Sequence, residues 1–403
     1  MNTLCLAVDR LHIGYLGPYG NSWIETPEWD RLACQSFLLD QCQIDSPHLD
    51  RLYRSYWQGW HAASFEPPQP PPSLPALLEQ ARVHTALLSD SLDVLRLPLG
   101  REFAEQIELE VERATSLAES IEETQLAQSF AQLIDWLQQE PRKPFFAWCH
   151  LASLGCAWDA PLDFRARYRD EEDPEPSPSS EVPCRRLPQD YDPDDVLVAS
   201  HAYAGQVALL DTCLGALCEA LEEFGLAEDT LLVLLAPRGI SLGEHHRLGL
   251  VDEALYSPLT HVPLALRFPD GRGALARSQA LVEPADLWAT LLEWHGQAVP
   301  ATPTACSLLP LVTCEAQTLR DRLLAVRDAE LTFRTRAWSL RLAEQAELYA
   351  KPDDRREMND VAQRCQELLE SLRQAAQDYR QALQGPLPLV APPLPDELLH
   401  GMQ

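Results

Sequence analysis

The sequence is short of basic residues, of long apolar runs and of paired cysteines. It carries 32 Lys and Arg against 61 Asp and Glu, a formal net charge of −29. Because nucleic acids and anionic membranes are bound by clustered Lys and Arg, this balance argues against both as partners. The sequence offers no run near the roughly 20 apolar residues that a membrane-spanning helix needs. We therefore predict neither a nucleic-acid nor a membrane partner.

The first apolar run, residues 4–8, is too short for a secretory signal and is followed at once by Asp9 and Arg10. We predict a cytoplasmic protein, in which the 11 cysteines are reduced thiols. Their odd number and scattered spacing give no disulfide framework and no metal-type pair. Cys213 and Cys218 lie in a helical pattern, which favours a packing role.

Short apolar runs alternate with helical patterns over most of the chain. Buried strands are predicted at residues 4–8, 145–151, 230–235 and 262–268. Helices are predicted at residues 31–37, 194–224 and 284–295, with two more within 101–140 that divide near residues 123–124. This alternation predicts an α/β fold with a mostly parallel sheet covered by helices on both faces.

The character of the chain changes near residue 320. Short strands at residues 323–326, 331–334 and 338–343 predict a small antiparallel sheet, and a helix is predicted at 359–383. We therefore predict an α/β domain over residues 1–315, a small C-terminal subdomain over 316–384 and a Pro-rich tail over 385–403.

Two further segments are rich in proline, residues 66–75 and the acidic residues 170–183. Both are predicted to be surface loops, because proline lacks a backbone donor and acidic, Pro-rich chain does not bury a core. The acidic segment is most simply a solvated loop, and a basic partner is the alternative.

Several motifs occur in a fixed order along most of the chain. They are VDRLHIGYLGPYGN, ETPEWDRLACQSFLLDQC, AYAGQVALLDTCLGALCEALEEFGLAEDTLLVLL, LGEHH, ALYSPLTHVPLALRFP, VEPADLWATLLEWHG, CSLLPLV and AELYAKPDDRREMNDVA. Together they resemble the sulfatases of the alkaline-phosphatase superfamily. The resemblance implies an alkaline-phosphatase-like fold, a mostly parallel sheet sandwiched by helices.

The chemistry of that family makes clear demands on the site. Its members bind Ca²⁺ or Mg²⁺ and attack sulfur with formylglycine, an oxidised cysteine, while Lys, His and Arg hold the sulfate. A hard cation needs several oxygen ligands, and an anionic ester needs positive charge around the atom under attack.

The family's first two functional elements are altered here. Asp9 matches the first of two adjacent metal-binding aspartates, but Arg10 stands at the second. In DSPHL, which resembles the nucleophile motif CxPSR, Asp45 stands at the cysteine and Leu49 at the arginine. Two substitutes for the nucleophile are weak: Cys42, three residues too early, and Ser46, with no base in sight.

The elements that hold the sulfate and the rest of the metal site are also altered. Asp90 and Leu92 stand at the lysine and histidine of the family's Lys-x-His, and Gly155 stands at a second histidine, with His150 interpreted as a core or strand-end residue. Pro237 and Arg238 stand at the later metal pair, and Asp252 at the last lysine. Glu244, His245 and His246 match a family segment interpreted as scaffold. Asp9 is thus the one retained ligand-type residue.

The substitutions exchange the signs of charge in the former pocket. We hypothesise that two guanidinium groups take the metal's place in an ion network, since a guanidinium can bridge carboxylates. The residues of this network would be Arg10, Arg238, Asp9, Asp45, Asp90 and Asp252. Simple decay of the site is the alternative.

We therefore predict a pseudo-sulfatase that binds an unidentified protein or small molecule. It is expected to have no intact catalytic residue, no metal and no formylglycine. One alternative is an active sulfuric-ester hydrolase of the arylsulfatase type, or a phosphate-ester hydrolase, with a rearranged site. Another is an interaction subunit partnered with an active paralogue.

Overall fold

The computed structural model describes residues 1–65, 67 and 70–401. Within it the chain forms two compact units. The first unit comprises Met1–Leu38, Arg82–Val251 and Pro263–Arg277, and the second unit comprises Leu39–Ala81, Asp252–Val262 and Ser278–Gln403. The strands Phe37–Cys42 and Ala276–Val282 carry the chain from one unit to the other.

A mostly parallel sheet forms the core of the first unit. Its central strand, Asn2–Val8, pairs in parallel with Phe145–Leu151 on one side and Thr230–Leu235 on the other. Every residue of these three strands is buried, because helices cover both faces, and this explains their continuous apolar sequence. His84–Ser89 and then Glu105–Glu108 extend the sheet beyond Phe145–Leu151.

The other side of this sheet is antiparallel, where Leu264–Arg267 pairs with Thr230–Leu235. A small separate sheet contains Cys184–Arg186, Arg247–Gly249 and Ser241–Leu242. The α-helices of the first unit are Pro27–Cys34, Leu92–Leu95, Gln125–Gln138, Leu162–Ala166 and Pro193–Glu223.

The helix Pro193–Glu223 is long and apolar enough to span a membrane by length and composition alone. However, 78% of its most apolar stretch is buried inside the structure. Val207, Leu210, Leu214 and Leu217 lie on its buried side. Its apolar surface is therefore already used in the core.

The second unit is built around a four-stranded antiparallel sheet. Its strands, in spatial order, are Arg322–Arg327, Glu330–Thr335, Trp338–Leu342 and Ala346–Ala350. The helix Gln366–Leu383 packs its buried Leu372 and Ala376 into a core with Phe333 and Leu340. The remaining helices of the unit are Leu49–Gln58, Leu74–Gln80, Ser257–Thr260, Pro284–Trp294, Leu309–Val312 and Asp396–His400.

The predicted α/β class, with a mostly parallel sheet and a C-terminal antiparallel sheet, is confirmed. Two local predictions were wrong. Residues 101–140 hold an edge strand, Glu105–Glu108, and one helix, Gln125–Gln138. The helix predicted at 31–37 is Pro27–Cys34, and Phe37 begins a strand.

Other boundaries shift as well. The helix predicted from 359 begins at Gln366, and the strand Ala346–Ala350 was not predicted. The Pro-rich segment 66–75 ends in the first turn of Leu74–Gln80, while residues 66, 68 and 69 lie outside the described residues. The tail contains the helix Asp396–His400, and residues 402 and 403 lie outside the described residues. The domain boundaries at 315 and 384 stay predictions.

Candidate functional site

The carboxyl ends of three parallel strands of one sheet carry charged residues in the first unit. Asp9 and Arg10 follow the central strand, Asp90 follows His84–Ser89, and Arg238 lies three residues after Thr230–Leu235. In open α/β sheets this edge is where ligands bind. The first unit therefore has its candidate site at the end of the central strand.

Arg238 forms a two-point ion pair with Asp9. Its Nε donates to Asp9 Oδ1 at 3.1 Å and its Nη2 donates to Oδ2 at 2.5 Å. Asp9 is only 3% exposed. A bidentate pair of this kind is strong and fixed in orientation, so both carboxylate oxygens of Asp9 are engaged by one guanidinium group.

The charge of Asp9 is maintained by its cationic neighbours. Burial alone would raise the pKa of this carboxyl, but Arg238 and Arg10 lower the pKa well below its ordinary value. The Nε atom of Arg10 lies 3.8 Å from Asp9 Oδ2. Two guanidinium groups thus face one carboxylate at the end of the central strand.

Arg10 occupies a strained turn that its neighbours hold in place. Its φ is 69°, in the left-handed region that a residue with a side chain seldom adopts. Its backbone N–H donates to the Arg238 carbonyl at 2.7 Å, and its carbonyl accepts from the Tyr203 hydroxyl at 2.7 Å. The same hydroxyl accepts from His12 N at 2.8 Å. Left-handed backbone at such positions is often functional.

Gly155 makes room for the Arg10 side chain. A Cβ atom at position 155 would lie 3.1 Å from Arg10 Cγ, closer than ordinary van der Waals contact. A larger residue here would therefore require Arg10 to move. The Arg10 side chain thus occupies the space beside Gly155.

Asp90 is engaged by the loop after the next strand. It accepts from Ala152 N at 2.6 Å and from Ser153 Oγ at 2.5 Å. Leu92, two residues on, is exposed. His150 is fully buried, and burial lowers the pKa of its imidazole. Asp90 therefore fixes a loop at the edge of the site.

A second carboxylate, Glu244, lies near His12. Glu244 Oε1 is 3.7 Å from His12 Nε2, and Oε2 accepts from Leu242 N at 2.7 Å. Although burial opposes it, the interaction with His12 lowers the pKa of Glu244 to about 2. The neighbouring His245 and His246 both have positive φ.

Asp45, Leu49 and Asp252 belong to the second unit. Asp45 is buried, and its Oδ2 accepts from Ser55 Oγ at 2.5 Å and from Ala62 N at 2.8 Å. Burial raises the pKa of this carboxyl. Leu49 begins the helix Leu49–Gln58, and Asp252 is half-buried in a loop.

The weaker nucleophile candidates are also buried in the second unit. Ser46 accepts a hydrogen bond from His48 N at 3.3 Å, and burial raises the pKa of the Cys42 thiol well above its ordinary value. A thiol held in this state is a poor nucleophile. Both residues therefore fit structural roles.

Sequence reasoning missed the residues that position Arg10 and Asp90. Tyr203 fixes the Arg10 and His12 backbones, and Ser153 binds Asp90. Tyr203 lies in the AYAG segment, which resembles the family but indicated no role at the site. Ser153 follows the strand Phe145–Leu151 and carried no signal of its own.

The charged side chains at this edge are guanidinium groups and separate carboxylates. Within residues 1–65, 67 and 70–401, no three His, Cys, Asp or Glu side chains are grouped as metal ligands. The whole sequence contains two lysines, Lys143 and Lys351. Lys351 belongs to the second unit, where it is paired with Glu357 at 3.2 Å.

Comparison with known proteins places this chain in a family. The family model named Sulfatase matches residues 1–297. The multifunctional alkaline phosphatase superfamily protein PehA of Trinickia caryophylli is 26% identical over 204 residues, which cover 44% of this chain and 39% of PehA. The N-acetylglucosamine-6-O-sulfatase of Bacteroides thetaiotaomicron is 26% identical over 201 residues, which cover 44% of this chain and 36% of that enzyme. The matched segment thus spans well under half of each of these relatives.

The fold is also similar to that of solved structures. The phosphonate monoester hydrolase of Agrobacterium radiobacter superposes with a TM-score of 0.73 at 18% identity, covering 93% of this chain and 95% of the hydrolase. This likeness extends to the parallel sheet and the C-terminal antiparallel sheet. Since the family model covers most of the chain, the chain belongs to the sulfatase family.

Proposed function

We propose that this sulfatase-family chain is a pseudo-sulfatase, a non-catalytic protein that acts by binding a partner. The observation that carries the proposal is the two-point contact of Arg238 with Asp9. Asp9 is the one residue that matches a family metal ligand, and both of its oxygens are already engaged. A divalent ion would have to displace a guanidinium group and then lie beside Arg10.

The residues present do not fit the family's metal. Ca²⁺ and Mg²⁺ take several oxygen ligands. Here the position after Asp9 is Arg10, and the later ligand pair is Pro237 and Arg238. Proline has no side-chain ligand atom, and an arginine stays cationic and repels a metal ion.

The sulfate-holding groups are also unsuited to an anion. The two positions that match family lysines are Asp90 and Asp252. With two lysines in the whole sequence, little flexible positive charge is available to neutralise an ester anion. The mutual fit of Arg10 and Gly155 supports an organised replacement over simple decay.

A second candidate is an active sulfate-ester or phosphate-ester hydrolase with a rearranged site. Family membership and the likeness to a sulfatase and a phosphonate monoester hydrolase favour it. It requires metal-dependent turnover, which separates it from the first proposal.

The test is metal analysis of the purified chain together with turnover of 4-nitrophenyl sulfate, 4-nitrophenyl phosphate and a phenylphosphonate monoester, with Ca²⁺ or Mg²⁺ added. We expect substoichiometric metal and no turnover above the protein-free rate. Stoichiometric Ca²⁺ or Mg²⁺ in the wild-type protein, with turnover that a chelator abolishes, contradicts the proposal.

The matched control is the double variant Arg10→Asp/Arg238→Asn, which returns ligand-type side chains to both positions. If the guanidinium groups keep the metal out, Ca²⁺ should raise the melting temperature of this variant and leave the wild type unchanged.

A further inference from the structure

An exposed tryptophan lies on the surface of the first unit within a cluster of aromatic rings. Trp23 is 42% exposed. Its ring centroid is 6.0 Å from that of Tyr15, 6.1 Å from Tyr168 and 5.6 Å from His201. We define the Trp23 surface as Trp23, Glu25, Tyr168 and residues 170–175.

The backbone on both sides of this ring is held in place. Asn21 Oδ1 accepts from Trp23 N at 2.8 Å and from Ile24 N at 2.9 Å. The Tyr168 hydroxyl contacts both the N–H and the carbonyl of Glu25 at 3.3 Å. A rigid, partly exposed tryptophan offers a partner a large contact area at little entropic cost.

The Trp23 surface is strongly acidic. Its carboxylates are Glu25, Asp170, Glu171, Glu172, Asp173 and Glu175. Three arginines near this surface already have contacts. Arg169 donates to Glu175 at 2.8 Å, the Arg167 guanidinium lies 4.5 Å from the Phe164 ring centre, and the buried Arg165 donates to the Ser177 carbonyl at 2.7 Å. Most of this negative charge is therefore available to a partner.

His201 closes the inner side of the cluster without neutralising it. It is 1% exposed, and among the described residues its Nδ1 has no hydrogen-bond partner. Its Nε2 lies 3.4 Å from Asp173 Oδ2. Burial lowers the pKa of His201, which favours the neutral form of the ring.

We propose that the Trp23 surface binds a basic segment of a partner protein. An arginine or lysine of that segment stacks on the exposed face of Trp23, and its neighbours pair with the carboxylates of residues 170–175. A second copy of this chain is a poor occupant, because each copy carries a net charge of −29. The inference rests on the proposed binding function and gives it a surface and a class of partner.

The test is fluorescence anisotropy with a labelled arginine-rich nonapeptide and the full chain at physiological salt. A peptide with glutamine in place of arginine is the probe control. We expect Trp23→Leu to weaken binding about fivefold or more, because leucine keeps apolar area but removes the aromatic face. Trp23→Phe should retain most of the affinity.

Two double variants distinguish binding by the Trp23 surface from attraction of the peptide by the net charge of the whole protein. Glu171→Gln/Glu172→Gln and Glu222→Gln/Glu223→Gln each remove two exposed carboxylates from the first unit. Only the first pair should weaken binding. No binding by the wild type, equal loss in both pairs, or unchanged affinity in Trp23→Leu would each overturn the inference. Because no ester is hydrolysed in this assay, its outcome is independent of the metal and turnover test.

Discussion

Arg238 approaches Asp9 with two of its nitrogens, so that one buried carboxylate and one guanidinium group form a closed pair at the end of the central strand. Arg10, the next residue in sequence, lies on the same carboxylate at 3.8 Å. This arrangement puts two positive groups at the carboxyl edge of the sheet. The contribution of this ion pair to the free energy of unfolding can be measured by substitution.

Replacing Arg238 with alanine should lower the free energy of unfolding by about 3 kcal/mol. The variant leaves the Asp9 carboxylate buried with one partner fewer, and the cost of an uncompensated buried charge exceeds the value of the bond itself. Urea denaturation of the wild type, Arg238→Ala, Asp9→Asn and the double variant gives the coupling energy. A coupling near zero would mean that Arg238 and Asp9 contribute independently.

Replacing Gly155 with valine should destabilise the protein by about 1 to 3 kcal/mol, because the new side chain meets Arg10. In an Arg10→Ala background the same substitution should cost much less, since the space is then open. Gly155→Ala is the milder control. If Gly155→Val costs the same in both backgrounds, its cost does not come from contact with Arg10.

The contribution of Glu244 should depend on pH. Its pKa of about 2 lies below the ordinary value of a glutamate, so its stabilising effect is present above about pH 4.5 and is lost as the pH falls toward 2. The loss of stability caused by Glu244→Gln should therefore be largest at neutral pH, about 3 kcal/mol. Denaturation of both proteins between pH 7 and pH 2.5 measures the difference, and a difference independent of pH contradicts the assigned pKa.

The strands that could be predicted from the sequence are those that are buried on both faces, because their residues form a continuous apolar run. Phe145–Leu151 and Thr230–Leu235 have the predicted bounds, because strands covered on both faces carry their own signal. Glu105–Glu108 has no such run. It is a strand because it pairs with His84–Ser89. The local sequence of a segment does not reveal which strand it will pair with.

The start of a helix could likewise be predicted where a neighbouring residue caps it, but not where a residue distant in the sequence does. Gln125–Gln138 begins at the predicted place because Thr124 accepts a hydrogen bond from Ala127 N, a local cap. The helix Pro27–Cys34 begins earlier than predicted. Its first N–H groups are bound by Asp211, from a distant part of the chain.

At the candidate site the sequence identified residue types but not their partners. The pairing of Arg238 with Asp9 was part of the hypothesised network, whereas the bonds of Asp90 go to Ala152 and Ser153. The bonds of Asp45 go to Ser55 and Ala62 within the second unit. Hydrogen-bond partners depend on loop geometry, which motif spacing does not specify.

The contact between Gly155 and Arg10 has a consequence for the order in which the two positions can change. A side chain the size of histidine at position 155 would meet Arg10, whereas exchange of Arg10 for a small residue would first open the space beside Gly155. The same two substitutions should therefore be tolerated when position 10 changes first and be destabilising when position 155 changes first.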